Sequence, residues 1–573
     1  MNKLTGLKLI ICILANVLIV QQASSQSTAE RVYNIMQTHC ATAGCHSNAD
    51  KMAGLDLQGT AMIDVYNNVV DVVPQNTAAA AKHNKLIYPG DPYRSFIYRK
   101  LAHGKEAFAA LESDEGGAMP AYGGGAGLSD VEREVVRQWI LYGAPSTGTV
   151  IDEELLEEFY SGNGYWTIDP QDPPPAPAVS EGIQVRVGPI FLPPSSSTQT
   201  SEVEYYTKYE TNLPATEVHQ IDMTIGSSHH FIIYTFSDDA SDRSFGFREN
   251  ANHSTNVGYL VGVQENSNFD LPEGTAFKWQ DNLVLDMNPH VINYSQSAVM
   301  ATDVYVNIYT QPNGIAAQEM RAQLLPNFNL NIPNDGEEHF IEAPFSFPFN
   351  ANLYLWNIGS HTHARGNSFD VWTRNPDGSK GDQIYSATRY NGIPECEEIA
   401  YDYQHPPTRY FGEFLPLNIS NGIIHRASYI NNTNKTLHWG ATSEDEMMIT
   451  AIMYVLNTSG VTFGEASVCQ EDEFVETGID EFVVDGSFSL SVYPNPAAVR
   501  AYFDVSNAQP NETFTLHVMS LEGAYNNTHT FTTNSQGKAL YELSVKSLNN
   551  GIYIVELEDS AGNFINGKLM VQH

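Results

Sequence analysis

Two kinds of apolar periodicity divide this chain. Between residues 27 and 147 apolar side chains recur at helical spacing, first as Val32, Ile35 and Met36 with His39, just ahead of a cysteine pair. A second helix is better marked: Ser129 and Glu132 make a capping box, and Val131, Val135, Val136, Trp139 and Ile140 repeat on one face. Gly143 and Pro145 then stop the run. From 184 to 465 the pattern changes to short alternating or apolar runs, among them Gln184–Phe191, His230–Phe236, Val304–Tyr309 and Met448–Leu456, set apart by Gly, Pro, Asn and Asp clusters. That spacing predicts β-sandwiches, and the length suffices for two. Proline-rich Asp169–Pro177 reads as a stiff spacer, Pro326–Pro333 as the seam between sandwiches, and Glu471–Asp485 as an acidic linker before a last β-rich unit.

The expected fold class is therefore multidomain and mainly β. The expected segments are a signal peptide over 1–25, a helical domain over 27–147, a linker over 148–183, sandwiches over 184–328 and 329–468, an acidic linker over 469–488, and a small C-terminal β-sandwich over 489–573.

Charge narrows the function classes. With 29 Lys and Arg against 67 Asp and Glu, the net charge of −38 argues against nucleic acid, because little on such a surface displaces counterions from a polyanion. The acidity suits a soluble exported protein, and it can steer a cationic redox partner. Lys3 and Lys8, the apolar run Leu9–Val20 and the small residues Ala23-Ser24-Ser25 fit a secretory signal, so the mature chain is expected to begin near Gln26, with no membrane span. With Cys12 removed, Cys40, Cys45, Cys396 and Cys469 remain, and export permits both disulfides and haem thioethers.

The segment His39-Cys40-Ala41-Thr42-Ala43-Gly44-Cys45-His46 ends in Cys-His, as c-type haem attachment sites do, although four residues rather than two separate the cysteines. His46 is the candidate proximal ligand, and Met119, in Met119-Pro120, the distal one. A local Cys40–Cys45 disulfide with His46 incidental is the alternative. The segment resembles class I-like cytochrome c domains of secreted bacterial enzymes, through the longer-spaced Cys-Cys-His, the Met-Pro loop, and a terminal helix running from Leu128-Ser129-Asp130 to Arg137-Gln138-Trp139-Ile140 and Gly143-Ala144. The resemblance implies one haem c. Met36, Met52 and Met62 are expected in the core.

Beyond residue 180, candidate metal ligands fall into groups: His229-His230, His290, His361-Thr362-His363, and Met447-Met448. Imidazole suits copper and thioether selects Cu(I). Residues i and i+2 of a strand share a face, so His361 and His363 can chelate one ion, whereas His229 and His230 need a bulge or strand end to point together. Ser228-His229-His230-Phe231, Leu283–Asn293 around His290, His361-Thr362-His363-Ala364-Arg365-Gly366, His438-Trp439-Gly440 ahead of Thr442, and Asp445-Glu446-Met447 follow one another in an order that closely resembles the copper type II ascorbate-dependent monooxygenase family, the peptidylglycine and dopamine hydroxylases.

That resemblance implies two jelly-roll-type sandwiches and two copper ions. One would be an electron-transfer site of His229, His230 and His290, the other an oxygen-activating site of His361, His363 and Met447, with Met448 a competing assignment and His438 supporting structure. It implies hydroxylation of a substrate C–H bond with O2, with an external donor, ascorbate or a redox protein, and the haem as an electron source. Peptidylglycine enzymes carry Arg, Asn and Tyr where this chain has Gly359, Ile449 and Ala451, so a neutral or apolar small-molecule substrate is expected. The family's other disulfides are missing, and Cys396 is expected to pair with Cys469. A non-oxygenating haem and copper electron-transfer protein, and a copper-binding surface protein, are the rivals.

Val492-Tyr493-Pro494-Asn495-Pro496, Gly551-Ile552-Tyr553-Ile554-Val555 and Gly567-Lys568-Leu569-Met570-Val571 resemble the C-terminal sorting domain of type IX secretion cargo. The type IX machinery is the partner implied, and release or attachment at the cell surface the outcome. A small carbohydrate-binding sandwich is the alternative.

Overall fold

A computed structural model describes residues 26–571 apart from 121–126, 197–198, 237–239, 242, 250–256, 264–265, 346–351, 419, 441–444, 463–465, 470–481, 484–487, 494–496, 498–499, 521–524, 550 and 562–563. It describes the backbone alone of 228–229, 257, 482–483, 526, 551–552, 564, 566–567 and 570. The expected signal peptide, Thr442, Pro494–Pro496 and most of the acidic linker lie outside the described residues. The fold is mainly β, with several sheets and a C-terminal β domain.

Helices gather at the front: Thr28–His39, Met62–Val69, Thr77–Ala81, Phe96–Ala102, Asp130–Leu141 and Glu153–Glu158. The helix at 130–141 opens with the Ser129–Glu132 capping box, and a second box, Ser27 with Glu30, opens the first helix. Their apolar faces, Val32, Ile35 and Met36 against Val135, Val136, Trp139 and Ile140, make one core. Met36 is buried and Met62 half-buried, but Met52 is 56% exposed, because it opens a short turn outside the helices.

The segment 148–183 is more than a linker. Leu156 joins the helical core, Phe159 packs on Val299 and Ala301, and Gly164–Trp166 pairs in parallel with Val299–Ala301. Apolar residues spaced too irregularly to signal an element stitch it down. Asp169–Pro177 keeps the irregular backbone that its prolines impose.

In the first sandwich, Val299–Pro312 pairs with both Gly182–Leu192 and Thr216–Ile225 in one sheet. The other sheet runs Ser201–Glu204, Val284–Asn293, Ser228–Phe236, Val257–Val263. In the second sandwich, the order Arg321–Pro326, Ile449–Val455, Asn352–His361, Arg409–Asn418 faces the order Glu338–Phe345, Ile423–Ile430, Gly366–Arg374, Lys380–Ser386. The boundary expected at 328 therefore falls earlier. Arg321–Pro326 pairs with Ile449–Tyr454 and belongs to the second sandwich; the prolines that signalled a seam mark the end of that strand. Trp356, Phe414, Met453 and Val455 of the second sandwich lie in the same buried cluster as Phe231, Val263, Leu285 and Met287 of the first, so the two share a core.

Buried charge joins the helical unit to the first sandwich. Arg186 donates Nε and Nη2 to the Asp303 carboxylate at 2.9 and 3.1 Å and Nη1 to Glu106 at 3.3 Å, while Arg137 Nη1 lies 2.8 Å from Glu106 and its Nε donates to Glu134. Backbones also touch there: a Cβ on Gly246 would lie 2.2 Å from the Gly143 nitrogen. The C-terminal domain stacks two four-stranded sheets, and its buried Asp504 accepts from the hydroxyls of Ser295, Ser297 and Tyr493. Cys396 and Cys469 form a disulfide, with Cα atoms 5.3 Å apart. Among the described residues no helix is long and apolar enough to cross a membrane.

Arg186→Met leaves the Asp303 and Glu106 carboxylates buried beside a missing cation. The expected cost is about 3–5 kcal/mol, read as a lower midpoint in urea unfolding of the full chain.

Candidate metal centre

The adjacent histidines sit on Ser228–Phe236, antiparallel to Val284–Asn293. His290 pairs with His230, and the next residue, Val291, pairs with Ser228; the register skips His229. A β-bulge therefore falls where an adjacent pair needs one to break the alternation of strand side chains. The side chain of His229 lies outside the described residues. The His230 and His290 rings are 5.0 Å apart at 75°, and both residues are buried. Glu202 and Glu204, i and i+2 on the neighbouring strand, face them: a Glu202 oxygen lies 3.0 Å from His290 Nε2 and a Glu204 oxygen 4.0 Å from His230 Nε2.

His361 is the last residue of its strand, and His363 lies beyond it in the turn to Gly366–Arg374. Strand alternation therefore does not place His363. A buried carboxylate does: Glu446 accepts from the backbone N–H of His363 at 3.0 Å, Arg365 at 2.7 Å and Met447 at 3.2 Å. One side chain thus fixes the turn carrying His363 and the start of the segment carrying Met447. Burial pushes the Glu446 carboxyl up to about 7, against the three N–H groups that favour its charge. The turn is tight, since a Cβ on Gly366 would meet the Thr362 hydroxyl at 2.1 Å. The Thr362 hydroxyl bonds the Tyr401 hydroxyl at 2.7 Å.

His363 Nδ1 lies 3.2 Å from the Asp445 carbonyl, which can only accept, so the proton sits on Nδ1 and the lone pair on Nε2. Burial pushes this imidazole down to about 4 and keeps it neutral, the state a metal ligand requires. The two methionines part ways: Met448 is wholly buried in the sandwich core with Asn327 Nδ2 at 3.4 Å from its sulfur, whereas Met447 is half-buried and its carbonyl accepts from the Tyr429 hydroxyl. His438 is exposed; its Nδ1 reaches the Leu330 carbonyl, and its own carbonyl accepts from the Glu446 N–H.

The histidines of the two sandwiches meet. The His230 and His361 rings are 5.7 Å apart at 85°, and the His361 and His363 rings 5.2 Å apart at 87°. The imidazoles His290, His230, His361 and His363 form a continuous row across the seam. Among the described residues no three His, Cys, Asp or Glu side chains form a group that could hold an ion. That count includes neither the Met447 thioether nor the side chain of His229. A metal–nitrogen bond of about 2 Å plus about 1 Å to the ring centre puts two imidazoles on one ion about 5 Å apart, which each neighbouring pair in the row approaches. The donor set fits copper.

In register, His361 pairs with Ile449 and Gly359 with Ala451. Cross-strand partners share a face, so these small or apolar residues line the sheet face that carries His361. Sequence reasoning missed Glu202 and Glu204; the signal available was their i, i+2 spacing in an otherwise short edge strand. It also gave Glu446 no role, because a clamp that reaches the N–H groups of His363 and Arg365, 83 and 81 residues away, leaves no local pattern.

At the front of the chain, Cys40 caps the first helix, and His46 N–H donates to the Cys40 carbonyl, which closes the loop. Both thiols are free and half-buried, and burial pushes the Cys40 thiol up to about 11. His46 Nδ1 lies 3.2 Å from the Leu55 carbonyl, which leaves the lone pair on Nε2, as an axial haem ligand needs. Met119 is anchored through its N–H to the Lys100 carbonyl and is 37% exposed; nothing described ties it to the Cys40–His46 loop.

Glu446→Ala should strand three N–H donors at a cost of about 3 kcal/mol or more and weaken copper binding by about 10–100-fold. Chelator competition and thermal unfolding measure the two effects, and Glu446→Gln should recover part of each. His425, buried behind the site with Nδ1 at 3.0 Å from the Thr450 hydroxyl, is pushed by burial from 6.5 down to about 4. Its neutral form therefore contributes stability above about pH 6.5 that is lost as pH falls toward 4, on the order of 3 kcal/mol. His425→Gln should flatten that acid limb in melting temperatures recorded from pH 7 to 4.

A family model described as the secretion system C-terminal sorting domain matches residues 491–572. No curated protein matches the chain. Among solved structures, the chain is similar to the major capsid protein P2 of bacteriophage PM2, at 8% identity over 49% of this chain and 100% of that one, TM-score 0.21. It is similar to the STIV major capsid protein at 10% identity over 48% and 96%, TM-score 0.22. It is also similar to a Parabacteroides merdae β-glucuronidase at 8% identity over 47% and 31%, TM-score 0.13. The C-terminal domain is thus a type IX secretion sorting domain, which marks the chain for secretion and attachment at the cell surface.

Proposed function

We propose that this protein is a secreted copper-dependent monooxygenase that hydroxylates a C–H bond of a neutral or apolar small molecule with O2. The observation that carries the reading is the row of four imidazoles drawn from two sandwiches, with Met447 and His363 anchored on the same Glu446 carboxylate. His229, His230 and His290 would hold one copper and His361, His363 and Met447 another, and copper so held would supply one-electron chemistry toward O2. The residues of the chain do the rest. Glu446 and the Asp445 carbonyl orient His363, burial keeps its imidazole neutral, and Tyr429 holds the Met447 backbone. Gly359, Ile449 and Ala451 offer no cation to a carboxylate, which favours an uncharged substrate beside His361.

The helical unit is read as a c-type cytochrome domain with haem held by Cys40, Cys45, His46 and Met119. The Nδ1 bond of His46 supports this, and a haem held there would supply one-electron chemistry with an external donor, ascorbate or a redox protein. The burial of His230, His290 and His363 favours a second reading, in which the metals exchange electrons without oxygenating a substrate.

Metal and haem analysis of the mature chain is expected to give two coppers and one haem. Incubation with labelled O2, a reductant and a panel of apolar small molecules is expected to give a labelled hydroxylated product, and His361→Ala to lower its yield about a hundredfold or more. Oxygen uptake with no labelled product selects the electron-transfer reading.

A further inference from the structure

One outer face of the sorting domain is already occupied. Along its strand Arg500–Ser506 the side chains alternate: Ala501, Phe503 and Val505 enter the domain's own core, whereas Arg500, Tyr502 and Asp504, at i, i+2 and i+4, share the opposite face and each meets the rest of the chain. Tyr502 and its cross-strand partner Tyr493 are buried in one cluster with Ile190, Leu192, Met300 and Tyr165, whose ring lies 5.2 Å from that of Tyr493 and 4.8 Å from that of Tyr502. The Tyr502 hydroxyl donates to the Trp166 carbonyl at 2.7 Å. Asp504, 5% exposed, accepts from the hydroxyl of Ser295 at 2.6 Å and from that of Ser297. The receiving turn is shaped for this carboxylate: Ser295 Oγ itself accepts from the N–H groups of Ser297 and Ala298 at 3.1 and 2.9 Å, which leaves its proton for Asp504. At the rim Arg500 pairs with Asp169 and Lys546 with Asp172, both acids of the proline-rich segment.

We propose that this face is a binding surface whose partner is the chain's own first sandwich together with residues 165–172, and that it holds the sorting domain on the body without help from the covalent connection. Scission of the connector then leaves a two-piece complex, and freeing the body takes a further event. The centre of the face outweighs its rim. Half-exposed ion pairs such as Lys546–Asp172 contribute little, whereas buried tyrosines packed in a pocket are the kind of anchor that carries most of an interface's affinity. Asp504 adds selectivity, because a buried carboxylate demands hydroxyl or N–H donors at fixed positions and a surface without them leaves it stranded.

The test uses the full chain with a site-specific protease sequence inserted after Thr477 in the acidic linker, cut once the chain has folded. The Cys396–Cys469 disulfide lies wholly on the body side of that cut, so it does not join the pieces. Size-exclusion chromatography with light scattering is expected to show one species with the mass of the uncut chain, unchanged through about tenfold dilution. Ser297→Asp leaves the sorting domain's own sequence untouched and sets a second carboxylate against Asp504; it is expected to weaken the association about tenfold or more. Separate elution of the two pieces from the cut, otherwise unsubstituted chain overturns the proposal. So does a Ser297→Asp chain whose pieces hold together as tightly, since the attachment then lies elsewhere. The first measurement needs no substitution in either partner, so a Ser297→Asp chain that fails to fold still leaves the question decided.

Discussion

The site depends on one constraint: the two sandwiches must not slide. The approach of His230 to His361 crosses a seam that, among the described residues, no backbone hydrogen-bond ladder spans at that point. Apolar burial fixes it. Trp356, Phe414, Met453 and Val455 enter the core of the neighbouring sandwich, and full burial of side chains of this size is worth roughly 1.5–3 kcal/mol each. Because such interiors are close-packed, a shift of the seam would open voids on one side and clashes on the other, so His230 and His361 inherit the rigidity of the core behind them.

On that platform, two local departures from regular structure occur where the candidate ligands lie. A bulge at His229 interrupts the alternation of its strand. Glu446 does the corresponding work on the second sandwich, where the strand has already ended. A carboxylate removed from water is costly, and three N–H donors only partly offset it, as its elevated proton affinity shows. The return is positional, since His363 and Met447 are held through their backbone N–H groups.

The other junctions use polar contacts as well. Arg186 and Arg137 sit among Asp303, Glu106 and Glu134 between the helical unit and the first sandwich, and Asp504 of the sorting domain takes two hydroxyls, Ser295 and Ser297, from the same sandwich. Buried charges of this kind demand specific partners at specific angles, so they fix orientation more than they add stability. The helical unit and the sorting domain are thereby docked rather than tethered, and 148–183, whose prolines read as a spacer, contributes a helix and a strand to the same assembly.

The sequence by itself determined whatever is written locally. Capping residues and apolar periodicity marked the helix at 130–141, alternation marked the sandwich strands, and the final segment carried the order of a sorting domain. Histidine and methionine types suggested the metal chemistry proposed above, and i, i+2 spacing grouped His361 with His363, although a clamped turn rather than a strand brings their rings together. Tertiary structure alone decided the rest: that Arg321–Pro326 pairs across to the second sandwich, that Met448 turns inward while Met447 stays at the rim, that Met52 is left outside the core, and that two histidine groups more than 60 residues apart from His290 onward abut across a seam. These are outcomes of packing between segments distant in the chain, and a one-dimensional pattern of polar and apolar residues carries the period of each element but not the identity of its neighbour.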